Sequence, residues 1–294
     1  MSNITSNPVF KRIWMITGAS RGIGARIAQA ALARGEAVVA TARDTDSVQK
    51  SLAGFGSSDA LLALKLDVTD ENQAVSAARE ALARFGRIDV LVNNAGYGLL
   101  GAVEEATADE VRRLYNTNVF GLLNVTRAVL PAMRQRRSGH VINISSLGGV
   151  QSSAGFGVYC STKFAVEGLT EALHAELAPL GIQATVVEPG YFRTDFLDAA
   201  SLSVSPLELP DYAASAGQVR IAAKQISYNQ PGDPLRLAQA ILKLVDSAHP
   251  PLRLPLGSDT VQTIASKHKF VANETAAWHE LAVSTDFASE ALAA

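Results

Sequence analysis

Cysteine is almost missing from this chain. Cys160 is the only one in 294 residues, so no internal disulfide can form, and a reducing cytoplasm is the simplest compartment. No apolar stretch reaches the ~18 uncharged residues of a membrane helix, so no span is expected. The segment MSNITSNPVFKRIWMITGAS lacks a basic region followed by an apolar run and a cleavage site, and no signal peptide is expected. Neither sign of charge is in excess. The 26 Lys and Arg against 28 Asp and Glu leave a net −2, which argues against a nucleic-acid surface. The five histidines, at 140, 174, 249, 268 and 279, show no ligand spacing, so no metal site is expected. Repeats and domain-splitting linkers are missing as well.

Apolar residues are plentiful, at 48%, enough for a core. They fall into alternating strand-like and helix-like stretches. Strands are expected at 13–17, 36–42, 60–68, 87–94, 140–146 and 182–188, with a last short one within 251–257. Helices are expected at 22–34 and 74–85. A long one at 107–136 is opened by the capping box Thr107-Ala108-Asp109-Glu110. Another runs from 158, with Phe164, Leu169 and Leu173 among its apolar positions. A further helix starts at Asp233-Pro234, N-cap and N1, and the tail is helical to about 283. This alternation predicts an α/β fold, a doubly wound parallel sheet in a single domain over 1–294. The stretch 191–232 is rich in Ser, Pro and Ala and shows no clear strand. It is read as a substrate lid with a helix near 212–226, and 250–294 as a C-terminal extension.

The first strand ends in TGASRGIG, 17–24, with glycines at 18, 22 and 24. A strand–turn–helix with Gly18, Gly22 and Gly24, holding Ser20, Arg21 and Ile23 between them, is a pyrophosphate cradle. Glycine lets backbone N–H groups approach closely, and the helix points its positive end at the anion. The second strand ends VVATARD. Thr41 and Ala42 stand where an NAD-binding acid is expected, and Arg43 follows. Two guanidiniums, Arg21 and Arg43, suit a 2′-phosphate, so NADP(H) is favoured over NAD(H). A strand end one or two residues later would make Asp44 the NAD acid. Asp67-Val68 closes the third strand, where a carboxylate holds an adenine amino group or, alternatively, caps the helix near Glu71.

Tyr159 and Lys163 lie four residues apart, on one face of a helix. A phenol beside an ammonium is either surface decoration or an acid with a tuned pKa. Together, TGASRGIG at 17–24, NNAG at 93–96, NVFG at 118–121, Ser146, YCSTK at 159–163 and PG at 189–190 resemble the short-chain dehydrogenase/reductase family, in its small single-domain branch. The likeness runs from about Ile13 to Thr194. The tail after Pro250 is more similar to the hydroxysteroid and carbonyl reductase branch than to the ketoacyl reductases.

The resemblance implies a Rossmann-type fold and four catalytic positions. Tyr159 is the acid for ketone reduction, and Lys163 favours its phenolate. Ser146 donates to the substrate oxygen, with Ser145 the structural neighbour. Asn118 helps hold a water that links Lys163 to solvent, while Asn116 faces away. Asn94, Ala95 and Gly96 pass the cofactor ribose, and Asn93 ties strands together. Pro189 and Gly190 bend over the nicotinamide, with Phe192 nearby and Thr194 on its carboxamide. The activity implied is NADP(H)-dependent reduction of a small-molecule carbonyl in a homodimer or homotetramer. Tyr97, Leu99, Leu100, Val150, Phe156, Phe192 and Phe196 would make the substrate pocket apolar. The alternatives left open are an inactive NADP(H) sensor and an epimerase or dehydratase.

Overall fold

Strand β1 (Ile13–Thr17) is buried on both faces, which is why IWMIT is a continuous apolar run and not an alternating one. Trp14 and Ile16 enter the core on one side of the sheet, Ile13 and Met15 the core on the other. After β1 come α1 (Gly22–Ala33), β2 (Ala37–Ala42), α2 (Thr45–Leu52), β3 (Leu61–Lys65), α3 (Glu71–Phe85), β4 (Val90–Asn93) and β5 (Gly98–Leu100). The chain continues through α4 (Ala108–Tyr115), α5 (Gly121–Arg136), β6 (Gly139–Ile144), α6 (Gly157–Leu177), β7 (Ile182–Pro189) and β8 (Leu202–Val204). It closes with α7 (Gln218–Ile226), α8 (Pro234–Asp246), β9 (Arg253–Leu256), α9 (Ser258–Ala277) and α10 (His279–Val283). This is a computed structural model that describes residues 10–287. The end of the expected C-terminal extension, 288–294, lies outside the described residues.

Seven strands form one parallel sheet in the order β3-β2-β1-β4-β6-β7-β9. Helices α1 and α8 cover one face, and α3 and α5 the other. The winding reverses between β1 and β4, and the carboxyl ends of the strands at such a reversal open a crevice for ligands. The doubly wound parallel fold read from the sequence is therefore the fold observed.

Four local features differ from expectation. First, α2 was not foreseen. Asp44 caps it, its carboxylate accepting from the Asp46 N–H at 3.1 Å. Second, the long helix starts at its capping box but is broken by a wide π turn at Asn116–Phe120, so α4 and α5 are separate. Third, the region after β7 does carry a strand. β8 pairs with β5 in a small parallel sheet, Gly98 opposite Leu202 and Leu100 opposite Val204. Fourth, the buried face of α6 is largely polar (Tyr159, Thr162, Lys163, Glu167, Thr170), while Phe164 is 44% exposed. The core of this helix is its chemistry-bearing stripe, which an apolar count cannot find.

Candidate active site

The crevice between β1 and β4 is a cleft of about 950 Å³. At its floor, Gly18 and Gly22 adopt left-handed backbone, with φ of +64° and +57°. A Cβ on Gly18 would sit 3.0 Å from the Ala95 Cα. Helix α1 opens onto the cleft with no side-chain cap and no acidic residue in its first turn. Helix N-termini of this kind leave backbone N–H groups and a positive dipole end that suit an anion. The cradle thus fits a dinucleotide diphosphate. Ser20, Arg21 and Ile23 line it with Gly18 and Gly22. Gly24 does not line it, contrary to expectation. A Cβ there would collide with Asn94 Nδ2 and the Gly18 carbonyl, so Gly24 serves close packing beneath the loop.

At the far end of the cleft, β2 stops at Ala42, and exposed Arg43 lines the wall. Asp44 also borders it, but its carboxylate is spent on capping α2 through Asp46 and Ser47. Arg21, expected beside Arg43, also lines the cleft and makes contacts across it. Its Nε pairs with Asp195 at 3.2 Å, and it donates to the Ala200 carbonyl, so it bridges the cleft to the segment after β7. Asp67 lies past the end of β3 and accepts from Thr69 N and Oγ1 at 3.0 and 2.8 Å. It is not the cap of α3. That is Asp70, which accepts from the Gln73 N–H at 3.1 Å. Val68 lines the cleft next to Asp67. Asn94 Nδ2 donates to the carbonyls of Thr17 (2.9 Å) and Gly18 (3.1 Å), tying β4 to the loop, and Ala95 and Gly96 continue the wall. Asn93 joins β4 to β6 and α5 as expected, donating to Asn143 and Thr126, both at 2.9 Å.

At the other end stands Tyr159, buried between the rings of Phe156 and Phe196, with centroids 6.1 and 5.6 Å away. Burial raises its phenol above the usual 10.0, and the Ser146 hydroxyl works in the opposite direction. Lys163 Nζ lies 5.9 Å from the centre of the Tyr159 ring and donates to the Ile144 carbonyl at 2.9 Å. Burial lowers its pKa to about 8. Ser146 follows the end of β6 and opens a short 3₁₀ turn, its Oγ accepting from the Gly148 N–H at 3.0 Å. Asn118 sits in the π turn, where backbone hydrogen bonding is displaced. It does not line the cleft. Its Oδ1 accepts from Tyr97 N at 3.1 Å, and its Nδ2 donates to Tyr97 O at 3.0 Å and Thr162 Oγ1 at 3.1 Å. Asn116, expected to face away, borders the cleft instead.

Pro189, Gly190, Phe192 and Thr194 line the cleft above this end. Gly190 is required by close approach, because a Cβ would collide with the Asp259 carboxylate. Tyr97, Phe156, Phe192 and Phe196 give the cleft an apolar wall, whereas Leu99 and Leu100 are buried at 2% in the small sheet and Val150 is not at the surface of the cleft. Sequence reading passed over Tyr191. It lines the cleft next to the bend, and its N–H donates to Asp259 Oδ2 at 2.7 Å. Its place directly after Pro189-Gly190 was the signal available. No cluster of three or more potential metal ligands occurs among the described residues, and no helix among them is long and apolar enough to cross a membrane.

A phosphate cradle at the switch point of a parallel sheet, with a buried tyrosine and lysine at the same crevice, defines a dinucleotide-binding α/β protein. A family model described as short chain dehydrogenase matches residues 12–203, and the chain belongs to the short-chain dehydrogenase/reductase family of oxidoreductases. It is 38% identical over 274 residues to oxidoreductase BOA17 of Botryotinia fuckeliana, covering 93% of this chain and 99% of that one. It is 39% identical over 260 residues to a 3-ketodihydrosphingosine reductase of Bacteroides thetaiotaomicron, covering 88% and 92%. A crystal structure of a short-chain dehydrogenase from Streptomyces avermitilis superposes with a TM-score of 0.86 at 44% identity, over 94% of this chain and all 100% of that one. More distant solved structures carry nicotinamide ligands. An alcohol dehydrogenase from Thermococcus sibiricus holds 5-hydroxy-NADP (TM-score 0.68, 26% identity, 83% and 95% covered). A 3-ketoacyl-(acyl-carrier-protein) reductase from Brucella melitensis holds NADH (0.69, 26%, 84% and 97%).

Proposed function

We propose that this protein is an NADP(H)-dependent reductase that converts a largely apolar ketone or aldehyde to the alcohol in a reducing cytoplasm. The observation that carries this reading is the cluster of Tyr159, Lys163 and Ser146 at one end of a cleft whose other end is a phosphate cradle. The bound nicotinamide supplies the hydride. Everything else falls to side chains of the chain itself. Ser146 Oγ donates a hydrogen bond to the substrate oxygen and steadies the negative charge that develops there. Tyr159 gives that oxygen its proton. Lys163 keeps positive charge beside the phenol and makes the proton easier to release. Asn118 completes a proton route to Lys163. Support for this is that Asn118 Oδ1 and Lys163 Nζ share the space over Gly96, at 3.0 and 3.8 Å from the position of a Cβ there.

NADP(H) over NAD(H) is supported by Arg43 at the cleft wall and by the commitment of Asp44 to the α2 cap. An apolar carbonyl substrate is supported by the aromatic wall, and by a relative named for reducing a 3-keto compound. The residues between Tyr191 and Gly232 act as the lid over that wall. A homodimer or homotetramer is supported by Phe120 and Phe164, 53% and 44% exposed at the start of α5 and on α6. Light scattering that reports a monomer at micromolar concentration contradicts that part. The reaction is tested by following NADPH and NADH consumption against a panel of apolar ketones and aldehydes. NADPH-dependent alcohol formation is expected, and product at the oxidation state of the substrate contradicts it.

A further inference from the structure

Glu167 stands one turn beyond Lys163 on α6, so Tyr159, Lys163 and Glu167 recur every four residues along one buried stripe. All three are more than nine-tenths buried, at 7%, 7% and 5% exposure. The reaction proposed above uses the first two and leaves a buried carboxyl behind them without a role. Carboxylates are rarely buried to this degree unless they are paired.

The surroundings of Glu167 come from several elements. Arg253 of β9 pairs with its Oε2, with Glu188 Oε1 of β7 at 2.9 Å, and with Glu171 farther along α6. The Ser145 hydroxyl, just past β6, and the other oxygen of Glu167 both lie against Gly149, where a Cβ would touch each, and neither has a hydrogen-bond partner among the described residues. Three carboxylates therefore meet one guanidinium, and Glu188 Oε2 is buried with no hydrogen-bond partner among the described residues. Arg253 cannot balance this cluster alone. The next cation along the stripe is Lys163. The groups that face Lys163 from other elements, the Ile144 carbonyl and the Asn118 amide, are neutral, and the Tyr159 phenol on its own helix is uncharged in its protonated form.

We propose, resting on the function stated above, that Glu167 is a positioning residue for the reaction: its carboxylate, anchored by Arg253, keeps the buried Lys163 in its charged form. A buried ammonium needs a facing anion, because burial otherwise drives it to the neutral amine. The ionisation equilibria agree in direction. Burial lowers Lys163 to about 8, and Glu167 pushes the other way. Burial raises Glu167, Glu188 adds to that rise, and Arg253 opposes it, which keeps the carboxylate available to the lysine.

The direct test is the titration of Lys163 in the full-length protein, carrying lysine labelled with carbon-13 at Cε and followed by NMR. The signal is assigned by its loss in Lys163→Met. In Glu167→Gln the midpoint should fall by about one pH unit relative to wild type. A merely structural role for Glu167 leaves it in place, so an unchanged or raised midpoint overturns the proposal. If Glu167→Gln does not fold, Glu167→Asp, whose carboxylate is withdrawn by one methylene, should shift the midpoint down by less, and an unmoved midpoint there is equally fatal. Turnover of Tyr159→Phe is measured alongside. If it survives, the proposed reaction falls and this role falls with it. If it is lost while the Lys163 midpoint stays put, the role of Glu167 alone is wrong.

Discussion

The Lys163 ammonium lies 5.9 Å from the centre of the Tyr159 ring, one helical turn along α6, with its Nζ fixed by the Ile144 carbonyl at 2.9 Å. Both groups are buried, and burial moves their ionisations apart: the phenol up, the ammonium down to about 8. An amine forced to carry charge in such a place destabilises the fold.

Lys163→Met should therefore separate stability from activity. A lysine with a folded pKa below its unfolded 10.5 binds fewer protons in the folded state between about pH 8 and 10.5. The wild-type penalty is thus complete below pH 8 and vanishes as pH rises to 10.5. At pH 7 the variant should be more stable by up to about 3 kcal/mol, less the costs of the orphaned Ile144 carbonyl and of a Glu167 carboxylate that loses its facing cation. Its kcat/KM should fall by about 10² or more. Thermal unfolding at pH 7 and at pH 10.5, with kinetics on the same preparation, checks both.

In the proposed reaction, Ser146→Ala removes the donor to the substrate oxygen. A loss of roughly 10²-fold in kcat is expected, with cofactor affinity little changed. Isothermal titration with NADPH, beside steady-state kinetics, distinguishes this from damage to the cradle.

Cofactor choice should depend on Arg43. Arg43→Ala is expected to raise the KM for NADPH by about tenfold or more and to leave that for NADH nearly unchanged, since only the former has a 2′-phosphate to hold. Equal effects on both would place Arg43 outside the phosphate site.

The segment after β7 is fastened by a buried ion pair. Arg220 of α7 meets Glu105 Oε2 at 2.8 Å, and Glu105 also accepts from the N–H groups of Ala102 (2.7 Å) and Leu209 (2.9 Å). The Arg220 hydrogen bond is the largest cause of a Glu105 pKa lowered to about 2. A depressed carboxylate contributes stability that is full above its ordinary value of 4.5 and is lost as pH falls toward 2. Glu105→Gln should cost about 3 kcal/mol at pH 7, because the buried Arg220 guanidinium loses its nearest carboxylate, and the gap from wild type should narrow below pH 4.5 and close near pH 2. Unfolding midpoints across this range decide it.

Much of this architecture was legible in the residues. The unbroken apolar run of β1 marks a strand covered on both faces, and the glycine spacing after it marks the cradle. What escaped depends on contacts between distant segments. Arg21 reads as a phosphate ligand until Asp195 is brought to it across the cleft. Gly24 reads as a ligand contact until Asn94 is seen to fill the space of its missing side chain. The short strands β5 and β8 exist only as a pair. The π turn at Asn116–Phe120 leaves no mark in an otherwise helical pattern. The partner of Glu167, Arg253, lies 86 residues further on and reaches it only through β9.

The central claim is that Tyr159 gives the proton. It is tested most directly by NADPH consumption with an active ketone, wild type beside Tyr159→Phe, with NADPH binding measured on both. The variant should bind NADPH normally and lose turnover by about 10² or more. Turnover within a few-fold of wild type would mean that the proton comes from elsewhere, and would contradict the account.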